Sequence, residues 1–182
     1  MRITTRILAV LAGFALAGLA PAAEADEPYP SGITIGIQET DFLTLGAGGF
    51  DINDDQTSGE FRLEYRSDYR LWFIKPIAGV LANTDGGAFG YGGFGFDIFL
   101  GRRVVLTPQA TIGGYHRGDS KDLGGVFQFR TGVELAYRFA NRARLGISFH
   151  HISNAGIYDD NPGTENLLLT FSIPLHSRAA AP

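Results

Sequence analysis

Hydrophobic and polar residues alternate one by one in several segments beyond residue 41, though poorly over 71–83, 86–99 and 103–115; this is the period of a strand whose two faces meet different media. Phe61, Leu63 and Tyr65 alternate with Glu60, Arg62, Glu64 and Arg66. Phe127, Phe129, Val133, Leu135, Tyr137 and Phe139 alternate with Gln128, Arg130, Glu134 and Arg138. Leu145, Ile147 and Phe149 alternate with Arg144, Gly146 and Ser148, and Leu167, Leu169, Phe171, Ile173 and Leu175 repeat the pattern near the end. A helical stripe fits none of these segments. The pattern predicts eight strands, at 42–52, 58–67, 71–83, 86–99, 103–115, 124–139, 142–152 and 165–175. Turn residues fill the gaps, among them Asn53-Asp54-Asp55, Gly118-Asp119-Ser120 and Asn161-Pro162-Gly163. Pro76 and Pro108 lack a ladder N–H, which predicts a bulge or strand end near each. Residues 26–41 are less regular and read as a leader before a barrel at 42–175, with a tail at 176–182.

Eight alternating strands suit two architectures. A soluble barrel of lipocalin type turns its apolar face inward, whereas an outer-membrane barrel turns it onto lipid and keeps a polar lumen. The polar face of 58–67 and 124–139 mixes Glu with Arg, as a narrow lumen of compensating charges would. Its apolar counterpart ends in Phe61, Tyr65, Phe127, Tyr137 and Phe139, a girdle suited to a bilayer interface. The expected fold is therefore all-β: an eight-stranded antiparallel up-and-down transmembrane β-barrel.

Composition sharpens this picture. Gly occupies 25 of 182 positions, a bias against helical bundles. The absence of Cys removes disulfides, thiol nucleophiles and Cys-held zinc. A net charge of −4 leaves no basic surface for nucleic acid. At the N-terminus, Arg2 and Arg6 precede an apolar run from Ile7 to Leu19, then Ala23-Glu24-Ala25, which is the layout of a secretory signal over 1–25. No apolar run long enough for a second membrane helix follows it. The chain is expected to leave the cytoplasm for the outer membrane of a Gram-negative cell.

Candidate chemistry lies in the last hairpin. His151 and Ser153 are two apart, so both project on the side of Leu145, Ile147 and Phe149. Glu165 shares its side with Leu167 and Leu169. Both apolar sides must face one medium, so His151, Ser153 and Glu165 converge on the lipid-facing wall. Three unpartnered polar groups there would be costly to desolvate. Bonded to one another, they would form a Ser nucleophile, a His base and an acid that fixes the tautomer; the alternative at this point is three ordinary polar residues at strand ends near the headgroups. Asn154 and the backbone N–H of Gly156 could stabilise an oxyanion. His150 and Ser148 fall on the lumenal side and read as structural. The His residues show no metal-binding spacing, and no metal or cofactor is expected.

The stretch His151-Ile152-Ser153-Asn154-Ala155-Gly156, the Asn161-Pro162-Gly163 loop, Glu165 and the close at Phe171-Ser172-Ile173-Pro174-Leu175 resemble the lipid A 3-O-deacylase (PagL) family. About 25 residues carry the resemblance. It implies an eight-stranded outer-membrane barrel with Ser153 as nucleophile, His151 as base, Glu165 as its orienting acid and Asn154 in the oxyanion hole. The implied substrate is lipid A of lipopolysaccharide, cleaved at its 3-position ester, with the acyl chain on Leu145, Ile147, Phe149, Leu167 and Leu169. A homodimer is left open. The tail after Leu175 departs from barrels that finish at the last strand. The alternative is a non-catalytic barrel serving as an anchor, adhesin or narrow pore; a soluble periplasmic lipid carrier stands third.

Overall fold

The computed structural model describes residues 32–37 and 39–175. The signal segment, residues 26–31 and 38 of the leader and the 176–182 tail lie outside the described residues. Ten strands follow in chain order: β1 (Ile33–Ile35), β2 (Phe42–Phe50), β3 (Ser58–Arg66), β4 (Lys75–Asn83), β5 (Ala88–Gly95), β6 (Ile98–Leu100), β7 (Val104–His116), β8 (Phe127–Arg138), β9 (Arg144–Ser153) and β10 (Thr164–Pro174). All pairings are antiparallel. β2 joins β10, and β7 pairs with β8 as well as with β5 and β6, so the sheet closes on itself.

β5 and β6 are one interrupted strand, which leaves eight positions in the wall, as the alternation predicts. Gly95 lies opposite Gln109 and Ile98 opposite Leu106, so no residue is inserted at the interruption. Pro108 sits across from it with no N–H to give, and only its carbonyl is used, by Phe96 N–H at 3.3 Å. Two expected strands are shorter than their apolar runs. The segment from 71 begins pairing only at Lys75, because Trp72 has φ 61° and Leu71 and Ile74 close a tight turn on each other. The segment from 124 starts at Phe127, after Gly124 at φ 79°. The leader contributes structure of its own. β1 pairs with the edge of β6, and Glu39 then reaches buried Arg138 and Arg144 inside the barrel.

Which face is inside decides the class. Glu60, Arg62, Glu64, Arg66, Arg130, Glu134, Arg144 and His150 are buried in the lumen, whereas Phe61, Leu63, Tyr65, Val80, Leu135, Ile147 and Leu167 are exposed on the outer wall. A lone buried charge would be costly by several kcal/mol, so the lumenal charges come paired. Arg66 grips Glu134 with two bonds of 2.7 and 2.8 Å and donates a third, at 2.7 Å, to Glu64. Lys75 and Arg144 both bind Asp97, at 2.6 and 2.7 Å. The Arg144 guanidinium also lies 4.5 Å over the Phe42 ring. Toward the loops at 51–57, 84–87, 117–126 and 154–163, Phe50, Leu81, Phe89, Tyr115, Leu123 and Ile152 pack together in the lumen. The bore is filled by side chains rather than open as a channel.

Candidate active site

Strand register delivers the polar residues of the final hairpin to one place. Glu165 on β10 lies directly opposite His151 on β9. Their side chains meet on the outer wall, with His151 Nδ1 2.9 Å from Glu165 Oε1. An ionised carboxylate can only accept, so Nδ1 carries a proton, and in the neutral ring Nε2 presents its lone pair. Ser153, one pleat further along β9, projects on the same face, with its Cα roughly 7 Å from that of His151. Among the described residues no hydrogen bond joins its hydroxyl to the ring. Catalytic bonds are often open before substrate arrives. Below the pair, Leu145, Ile147, Phe149, Leu167 and Leu169 continue on the same wall, each of the last four paired across the β9–β10 seam.

Gly163 was legible in the sequence only as a turn residue. It has φ 68°, and a Cβ placed there would stand 2.8 Å from His151 Cε1 and 3.4 Å from Nε2. The absence of a side chain is therefore what lets the imidazole lie where it does. A second support runs through the loop at 51–57. The Ile52 N–H donates to the Glu165 carbonyl at 3.0 Å, and the Thr164 hydroxyl donates to Asp51 Oδ1 at 2.9 Å. Lys121 reaches across from the loop at 117–126 to Asp51 at 2.8 Å and Asp54 at 2.5 Å. Burial disfavours its charge, but the two carboxylates outweigh this and hold its pKa above the ordinary lysine value.

The proposed oxyanion donors are otherwise engaged. Asn154 is fully buried, on the opposite side from Ser153. Its side-chain amide donates to Leu123 O at 2.9 Å and Asp160 O at 2.7 Å, and its Oδ1 accepts the Gly156 N–H at 2.9 Å. In this arrangement Asn154 latches two loops together and neither group points its hydrogen at Ser153. His150 behaves as its parity predicts. It is buried in the lumen between Arg62 (3.2 Å) and Arg130 (2.8 Å). Among the described residues no group of His, Asp and Glu could hold a metal ion.

A closed barrel with a polar, ion-paired bore, an apolar outer wall and a His–Glu pair beside a Ser on that wall defines an outer-membrane protein of hydrolase type. The model of the family described as lipid A 3-O-deacylase (PagL) matches residues 38–174, well over half of the chain. The chain belongs to that family. It is 36% identical over 52 residues to lipid A deacylase PagL of Bordetella bronchiseptica (strain ATCC BAA-588 / NCTC 13252 / RB50). That stretch spans 29% of this chain and 29% of the relative's length. The fold is similar to the crystal structure of the outer membrane enzyme PagL, with a TM-score of 0.55 and 22% identity, covering 74% of this chain and 99% of that one.

Proposed function

We propose that the chain is an esterase of the outer membrane that removes the 3-O-linked acyl chain of lipid A, with Ser153, His151 and Glu165 as its triad. The observation that carries this reading is the His151–Glu165 pair, aligned across the β9–β10 seam on the lipid-facing wall with Ser153 on the same face. Family membership supplies the substrate class. Both described ends of the barrel wall, at the start of β2 and the finish of β10, lie at one end, which is taken as periplasmic. The hairpin loop at 154–163 then lies outside, and the triad sits at the depth of the outer leaflet's ester linkages.

Lipid A reaches the site laterally within that leaflet, its acyl chain on Leu145, Ile147, Phe149, Leu167 and Leu169. Ser153 Oγ attacks the ester carbonyl while His151 Nε2 takes the hydroxyl proton, and Glu165 steadies the resulting imidazolium. The ester C–O bond breaks, and His151 returns the proton to the departing sugar oxygen. Water, activated by the same imidazole, then hydrolyses the acyl-serine and restores the hydroxyl. For the oxyanion, the Gly156 N–H and the Asn154 side-chain amide are candidate donors within three residues of Ser153 along the chain, although the Asn154 side chain now lies on the opposite face. Using either exchanges one of its present bonds for one to the developing charge.

The filled lumen disfavours the rival reading of a narrow pore. Mass spectrometry of lipid A from a Gram-negative host expressing the chain separates the enzyme from a passive barrel. Loss of one 3-hydroxyacyl group, absent with Ser153→Ala at equal membrane levels, is the expected result. Unchanged acylation with the folded barrel present would overturn the proposal.

A further inference from the structure

The triad and the acyl wall leave unexplained an aromatic surface on the loop side of Ser153. Ser153 pairs in register with Phe129 of β8, which packs edge to face with Phe127 at 5.3 Å. Tyr158, from the loop after β9, is fixed to this strand from above: its Oη accepts the Phe127 N–H at 3.1 Å. Its ring lies against the backbone of Gly125, where a Cβ would fall 2.2 Å from Cε2 and 2.3 Å from Cδ2. One side of the ring is thus covered by a glycine and one edge is pinned by a hydrogen bond, yet 37% of the residue is exposed. Ile157 and Val126 stand beside it, exposed as well. The Asn154 latch onto Leu123 and Asp160 holds the two loops that carry this surface.

We propose that Tyr158 is a saccharide platform, stacking its open side on the glucosamine ring that bears the scissile ester; the inference rests on the lipid A reading above. Connectivity requires a sugar there. The ester oxygen is bonded directly to a ring carbon, so once the carbonyl lies within about 3.5 Å of Ser153 Oγ the sugar follows within a few ångströms. The acyl chain takes the apolar wall, which leaves the loop side for the sugar. The surroundings select a pyranose over a phosphate. Asp159 and Asp160 are exposed next to the ring in sequence, and carboxylates repel an anion but accept bonds from sugar hydroxyls. Tyr158 would set which end of the substrate enters, while the triad performs the chemistry.

The test measures binding, so that it does not depend on turnover. The Ser153→Ala full chain in detergent micelles is titrated with a glucosamine monosaccharide bearing a 3-O-(3-hydroxyacyl) group, and separately with the methyl ester of the same hydroxy acid. Adding Tyr158→Ala is expected to weaken the sugar ester about tenfold, equivalent to about 1.4 kcal/mol, and to leave the methyl ester within twofold. Tyr158→Phe keeps the ring and is expected to bind the sugar ester within threefold of the parent. Equal weakening of both ligands by Tyr158→Ala would overturn the platform, as would no change in either or no binding of either by the parent. Failure of the lipid A reading shows separately, as wild-type protein that leaves the sugar ester uncleaved.

Discussion

Alanine at Gly163 perturbs the candidate site through a single methyl group. Two effects can be separated. The backbone there has φ 68°, and a side chain in the left-handed region is disfavoured by about 1–2 kcal/mol. The new Cβ would also lie 2.8 Å from His151 Cε1, whereas carbon atoms rest at about 3.5–4.0 Å, so the ring must retreat by roughly 0.7–1.2 Å. Misplacing a catalytic group by about 1 Å lowers turnover about a hundredfold. Gly86 provides the control, because it has φ 78° and a Cβ there would meet nothing within 4 Å. Both Gly163→Ala and Gly86→Ala should lower the thermal midpoint by similar amounts, roughly 2–8 °C for a chain of this size. Only Gly163→Ala should lose deacylation, by one to two orders of magnitude, measured as fatty acid release from lipid A in micelles. Equal activity in the two variants, whether both impaired or both intact, would refute the claim that Gly163 places the imidazole.

Three further outcomes follow from the same geometry. His151→Ala should abolish fatty acid release with the barrel folded, whereas His150→Ala, on the lumenal side, should leave activity within a few fold; similar losses in both would undo the face assignment. Glu165→Gln should lower kcat by roughly two to three orders of magnitude without eliminating it, since Ser and His retain partial function when the third member is changed; a variant as active as wild type would remove Glu165 from the site. Asn154→Ala leaves the Leu123 and Asp160 carbonyls and the Gly156 N–H without their partner. It should destabilise the protein by about 1–3 kcal/mol and hasten proteolysis in the 117–126 and 154–163 loops, and unchanged stability and cleavage would contradict the latch.

The barrel was legible because its two faces meet opposite chemistry: Glu60, Arg62 and Glu64 could only be lumenal if Phe61, Leu63 and Tyr65 met lipid. The same parity put His151, Ser153 and Glu165 on one wall and His150 on the other. It blurred where residues answer to the backbone rather than to a medium. Apolar Leu71-Trp72-Phe73 looks like the start of a strand but forms a turn, and Pro108 interrupts its neighbour without shifting register. β1 was hidden because three residues carry too little alternation to register. Parity alone would also have turned Asn154 inward, a consequence that the oxyanion reading of its amide did not use. The roles of Asp51 and Tyr158 depend on contacts between loops distant in sequence, and that of Gly163 on a close approach to the His151 ring across its own hairpin, none of which a local period encodes.

The central claim is that an outward-facing serine is made nucleophilic by the imidazole two residues before it. An active-site-directed fluorophosphonate tests this at the level of the atom, through the intact mass and peptide map of the purified barrel. Wild-type protein should gain one adduct, located at Ser153, at a rate that falls by orders of magnitude in His151→Ala and stays near normal in His150→Ala. An adduct on another residue, or labelling of Ser153 that is indifferent to His151, would contradict it.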